Sequence, residues 1–310
     1  MALRPVDWLF AAYNAVLAVV WAVLVPRAGY GGVIFVAHAA ALALPSLLHR
    51  ADARLSAPGR VLREIYPLLW LLGFWSELGL VRELLHATGN DARIAALDLA
   101  IFGVHLNAVW MPRMPYPWLS EAMHLVYFAY YPLIFLPPIL VGAAGRLDAL
   151  RDITFGLLVT YLACYLIYVA FPVDGPGHTL PRFTGALSDG WFYRLVHGAL
   201  HAGDSLGTAF PSSHVAGAVT IAYLGWRWFR PIVAAVLTAE AVGVIFATVY
   251  TQNHYAIDAT AGLVWALVLQ AAVAPALLRI RIPALCRPRH AFEPVFPPSR
   301  LTPRTTGSVA

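Results

Sequence analysis

Two histidines and one aspartate carry the chemistry that can be read first in this chain. His214 stands in Phe210-Pro211-Ser212-Ser213-His214, and His254 opens His254-Tyr255-Ala256-Ile257-Asp258. His254 and Asp258 are four apart, a spacing that places both on one face of a helix, about 5 to 6 Å apart at Cβ. A carboxylate so placed holds one imidazole nitrogen and leaves the other free as a nucleophile. Pro211 suits the first turn of a helix, whose unpaired N–H groups and positive dipole end form an anion site. The amides of Ser212 and Ser213 are the expected donors there, with His214 projecting from the same turn.

A single membrane histidine is more often a packing group than a catalyst. Two of them in these contexts, in this order, favour catalysis. Zinc is the structural rival, but a catalytic zinc site takes three protein ligands and water, and only His178 suggests itself as a third. No metal and no cofactor is expected.

Phe-Pro-Ser-Ser-His, followed about forty residues later by His-x-x-x-Asp, resembles the type-2 phosphatidic acid phosphatase superfamily. The resemblance extends to Val249-Tyr250-Thr251 and Ala259-Thr260-Ala261-Gly262. It implies that His254 attacks phosphorus, Asp258 orients it, and His214 protonates the departing oxygen. The phosphatase branch also carries Lys-x6-Arg-Pro and a Ser-Arg pair before the second histidine. This chain has no lysine, and Ala247-Thr248 stand where Ser-Arg would fall. With Asp98 to Gly103, Tyr127-x-x-Tyr130-Tyr131 and Phe171 to Pro176, it is similar to the branch containing inositol phosphorylceramide synthase.

The elements that must position these residues are membrane helices. The 310 residues are 60% hydrophobic and 12% charged, against about 25% charged in ordinary soluble domains. We expect an all-α polytopic bundle of about eight spans: Trp8–Val25, Gly32–Leu48, Ile65–Val81, Leu119–Val141, Ile153–Phe171, Ser212–Trp228, Pro231–Tyr250 and Tyr255–Leu278. The resemblance makes six of them a catalytic core. The organisation reads as N-terminal helices with a basic loop (1–64), the membrane core (65–280) and a Pro/Arg-rich tail (281–310) that lacks an apolar period.

A net charge of +5 could suggest nucleic acid, but the arginines are distributed by topology. With the N-terminus in the cytoplasm, Arg4, Arg50, Arg54, Arg60, Arg63, Arg146, Arg151, Arg227, Arg230 and the tail arginines lie inside. Only Arg27, Arg82, Arg93, Arg113, Arg182 and Arg194 lie outside. Both termini are then cytoplasmic, and His214 and His254 share the extracytoplasmic side of a plasma or inner membrane. The first apolar run is read as a span, since no small-x-small cleavage site follows it. Cys164 and Cys286 read as structural.

Between the third and fourth spans, Leu97, Ile101, Phe102, Val104 and Val109 suggest an amphipathic stretch lying in the interface. The polar loop from Pro172 to Gly207 should cap the site. In it Arg182 and His178 are the expected phosphate-holding cations, with Asn253 beside the second histidine. Tyr127 and Tyr131 share a face and offer a wall for the substrate, whereas packing is the plainer role of such tyrosines. Glu77, deep in an apolar run, needs an interior partner, for which Arg82 is a candidate. Asp98 reads as a helix-start cap and Asp174 as a turn residue.

The expected reaction is transfer of a lipid-linked phosphate to a hydroxyl acceptor or to water, with no metal step. A diester carries one negative charge and a monoester close to two, so few cations favour a diester donor, inositol-phosphate transfer included. A phosphatase acting on phosphatidate or a polyprenyl phosphate is the alternative. A transporter or scramblase is more remote, since it leaves both histidine motifs unexplained. Substrate identity and oligomeric state are not legible in the sequence.

Overall fold

The bundle is organised around α8, because its sequence offers no polar face and so every side of it can be covered. The computed structural model describes residues 3–86 and 88–279; the expected tail, 281–310, lies outside the described residues. In order the helices are α1 (Pro5–Leu24), α2 (Gly31–Ala41), α3 (Leu44–Ala51), α4 (Ala57–Leu85), α5 (Asp91–Phe102), α6 (Leu106–Arg113), α7 (Pro117–Ala143), α8 (Leu147–Ala170), α9 (Pro176–Thr179), α10 (Trp191–Gly203), α11 (Ser213–Trp228), α12 (Pro231–Tyr250), α13 (Ala256–Val268) and α14 (Ala274–Arg279). A π turn, Leu269–Val273, joins the last two. Among the described residues there is no strand, only an isolated bridge between Val173 and Thr208.

Six segments are long and apolar enough to cross a membrane: Pro5–Arg27, Gly31–Arg54, Pro117–Ala143, Leu147–Ala170, Pro231–Tyr250 and Ala256–Arg279. The protein is an all-α polytopic membrane bundle. The two remaining expected spans are also helices in the bundle, α4 and α11, but α11 has 16 residues, short of the roughly 20 that cross a hydrocarbon core. α8 packs on α1, α4, α7 and α11. Thr160 on α8 meets the Thr220 hydroxyl on α11 at 2.8 Å and accepts the Gln270 amide at 2.9 Å, so α8, α11 and the π turn share one polar knot.

Two polar networks tie α1 to α4. At one end Arg63 donates to both oxygens of Asp7, at 2.8 and 2.7 Å, and to Asp52 at 3.1 Å. Nearer the other end, Glu77 accepts from Trp21 Nε1 and contacts His38 Nε2, both at 2.8 Å. Arg82 is therefore not the partner of Glu77. It pairs instead with Asp174, because on a helix residues five apart point in different directions. Asp174 is thus more than a turn residue: it pins the capping loop to α4.

The segment expected to lie as one interfacial stretch is two helices, α5 and α6, bent by 60°. Leu97 and Ile101 are exposed, but Asp98 and Asn107 are fully buried, so it docks on the bundle. Asp98 sits within α5 and does not cap its own helix. Its Oδ1 accepts the Ile257 N–H at 3.0 Å and so caps α13 from outside.

Candidate active site

The start of α11 is set by Ser212, whose hydroxyl accepts the Val215 N–H at 3.4 Å, as an N-cap does. The helix thus begins at Ser213, and Pro211 lies before the cap rather than in the first turn. The Ser212 N–H donates to the Asp258 carbonyl at 3.0 Å, so this amide is committed to structure and does not face a phosphate. Ser213 is buried as well, and neither serine lines the cavity described below. Gly262 allows this approach of α11 to α13. A Cβ there would lie 2.5 Å from the Ser212 carbonyl oxygen.

His254 does not sit on the helix with Asp258. α13 begins at Ala256, and His254 is held before it by its own N–H on the Thr248 carbonyl at 3.0 Å. Asp258 occupies the third helical position and its Oδ2 accepts the Tyr255 N–H at 2.8 Å, because a carboxylate there satisfies an unpaired amide of the first turn. The same oxygen is 3.5 Å from His254 Nδ1, too long for a short hydrogen bond. Burial pushes the His254 imidazole down to about 4, which keeps it neutral.

The two imidazoles meet edge to face with ring centroids 5.8 Å apart. His214 is enclosed by three tyrosines of α7. Tyr127 Oη is 3.2 Å from its Nε2, the Tyr130 ring lies 4.5 Å away and the Tyr131 ring meets it edge-on at 6.2 Å. The hydroxyl of Tyr130 bonds to Tyr161 at 2.6 Å. Of the two tyrosines expected as a substrate wall, Tyr127 lines the cavity and Tyr131 does not; Tyr131 packs on Phe128 and Tyr130.

The cavity, with its open mouth, encloses about 360 Å³. Tyr127, His178, Arg182, His214, Asn253 and His254 all line it. Arg182 donates to the Thr251 carbonyl and to Asn253 Oδ1, each at 2.8 Å, and thereby clamps the segment before His254. Gly177 makes room for it, since a Cβ would stand 2.5 Å from the guanidinium. His178 is not a lone cation: its Nε2 is 2.9 Å from Asp204 Oδ2, and that contact raises its pKa above the usual histidine value. Among the described residues no three His, Cys, Asp or Glu side chains are placed to hold a metal ion.

Sequence reasoning placed Asp204 only in the capping loop and Trp75 only in an apolar run, and it did not foresee helix α10. Trp75 lines the cavity and its indole donates to the Gly203 carbonyl at 2.8 Å. α10 lies across α7, with Val196 buried against Tyr127 and Ala247. Glu121 on α7 caps it by accepting the Phe192 and Tyr193 N–H groups at 3.0 Å. Phe192, Val196 and Leu200 at intervals of four were the available signal. His197 on this helix is pushed down to about 3, by burial first and then by Arg182 and His124, so it adds no charge.

A family model of the PAP2 superfamily matches residues 92–272, more than half of the chain. The chain belongs to the PAP2 superfamily. The match covers α5 to α13, the helices that build the cavity, and leaves α1 to α4 outside it. No curated protein and no solved structure matches the chain. Membership places it among membrane phosphatases and phosphotransferases.

Proposed function

We propose that the protein transfers a lipid-linked phosphate through a phosphohistidine on His254. The observation that carries this is the pair His214 and His254 on one cavity, 5.8 Å between rings, with Asp258 behind His254. His254, neutral and oriented by Asp258, attacks phosphorus as the P–O bond to the departing group breaks. The cationic form of His214 supplies the proton that the departing oxygen needs. In the second half the acceptor hydroxyl loses its proton to His214 while its oxygen displaces His254 from phosphorus. Transfer to a lipid or sugar hydroxyl makes the enzyme a transferase, and transfer to water makes it a phosphatase.

A phosphodiester donor is the favoured substrate, inositol-phosphate donors included. The support is the cavity's charge: Arg182 is partly committed to Thr251 and Asn253, His178 is paired with Asp204, and Asp174 also lines the wall. Such a cavity is suited to one negative charge rather than two. Arginine placement supports an extracytoplasmic site with both termini inside.

The test is a thin-layer assay of purified protein with labelled phosphatidylinositol, phosphatidate and a polyprenyl phosphate, with and without a hydroxyl acceptor, beside His254→Ala. Acceptor-dependent transfer from the diester that vanishes in the variant is expected. Hydrolysis of phosphatidate with no diester activity would make it a monoester phosphatase, and turnover in the variant would remove the mechanism.

A further inference from the structure

His214 is the proton donor in the reading above and lines the cavity, but its Nε2 is already engaged. Its ring is flanked by Tyr130 and Tyr131, and its Nε2 lies 3.2 Å from the Tyr127 hydroxyl. Tyr127 itself lines the cavity beside His254. The Tyr127 ring packs in one cluster with Val196, Ala247 and Leu200. Tyr130 cannot substitute for it, because the Tyr130 hydroxyl bonds to Tyr161.

A phenol hydroxyl is both donor and acceptor. It can take a proton on its oxygen and release its own in the same motion, without holding net charge. We propose that Tyr127 is a catalytic residue that stands between His214 and the substrate oxygen and relays the proton. The proposal rests on the phosphohistidine reading. In the first step His254 forms the N–P bond, and the P–O bond breaks with its electron pair going to the departing oxygen. That oxygen takes the Tyr127 proton, while Tyr127 takes the Nε2 proton of cationic His214. The sum is a neutral alcohol, neutral Tyr127 and neutral His214. The second step runs the relay backwards from the acceptor hydroxyl, leaving His214 cationic again.

The experiment compares two diesters that differ in how much the departing oxygen needs a proton. Didodecyl phosphate loses an alkoxide, and dodecyl p-nitrophenyl phosphate loses a stabilised aryl oxide. Wild type, Tyr127→Phe, His214→Ala, the double variant and His254→Ala are measured, with the nitrophenol burst read in the first turnover so that the second step does not mask it. Tyr127→Phe is expected to lose roughly 10²- to 10³-fold on the dialkyl ester and only a few-fold in the aryl burst. The double variant should be no worse than His214→Ala. Equal losses on both esters would show that Tyr127 only packs, and no loss on either would show that it is idle; each overturns the relay. For wild type on the dialkyl ester, a proton inventory in mixed light and heavy water should bow as for two protons in flight, and a straight line also overturns it. His254→Ala should abolish both reactions; turnover of both in that variant would sink the phosphohistidine reading instead.

Discussion

Replacing Asp258 by asparagine separates its two duties. The side chain is fully buried, caps α13 through the Tyr255 N–H at 2.8 Å and lies 3.5 Å from His254 Nδ1. Asparagine keeps an oxygen for the cap, so stability should fall by about 1 kcal/mol or less. What disappears is the charge facing His254 as that ring becomes cationic on bonding to phosphorus. Two unit charges 3.5 Å apart attract by about 5 kcal/mol at an effective dielectric constant near 20, an upper limit of roughly several thousand-fold in rate. The assay is rapid-quench trapping of labelled, acid-labile and base-stable phosphohistidine in Asp258→Asn beside wild type, with thermal unfolding in the same detergent. A loss of 10²- to 10³-fold in labelling rate with a small stability change is expected. A variant that labels at more than a third of the wild-type rate would refute the argument that this carboxylate serves the nucleophile, and its role would reduce to the cap.

Three further outcomes follow from the geometry. Asp204→Asn removes a carboxylate from the cavity wall and lowers the proton affinity of His178, which Asp204 raises. Orthovanadate should therefore bind the variant more tightly at pH 8, and in wild type it should bind more tightly as the pH falls and His178 gains its proton; a competition assay across pH reads both. With the His254 imidazole pushed to about 4 by burial, and with the neutral ring as nucleophile, loss of kcat/KM through protonation of His254 should centre near pH 4 rather than near 6.5. Gly190→Ala would place a Cβ 1.9 Å from Glu121 Oε1, so hydrogen exchange should accelerate along Trp191–Gly203 while α8 stays protected; uniform protection would remove the capping argument.

Much of the site was legible because its motifs are local. Phe-Pro-Ser-Ser-His and His-x-x-x-Asp are short, and the apolar runs between them have a length that admits few arrangements. His214 and His254 on one side of the bundle follow from two helices crossing in opposite directions. Arg182, His178, Tyr127 and Asn253 were also legible as cavity residues. Less legible was how they are used. Ser212 spends its amide on Asp258, Tyr131 packs away from the cavity, and His178 is bound to Asp204, which follows it by 26 residues.

The sequence by itself determined the apolar helical class and the order of the two histidine motifs, because composition and short-range spacing act through the chain's own periodicity. Only the tertiary structure decided which polar groups remain available. Glu77 took His38 and Trp21 in place of Arg82, Asp98 capped a helix far from its own, and Tyr127 came to lie on His214. The physical reason is that a buried donor or acceptor must find a partner, and in a bundle the partner is chosen by which helices pack together. That choice depends on long-range packing, on which one strand of sequence read in order is silent.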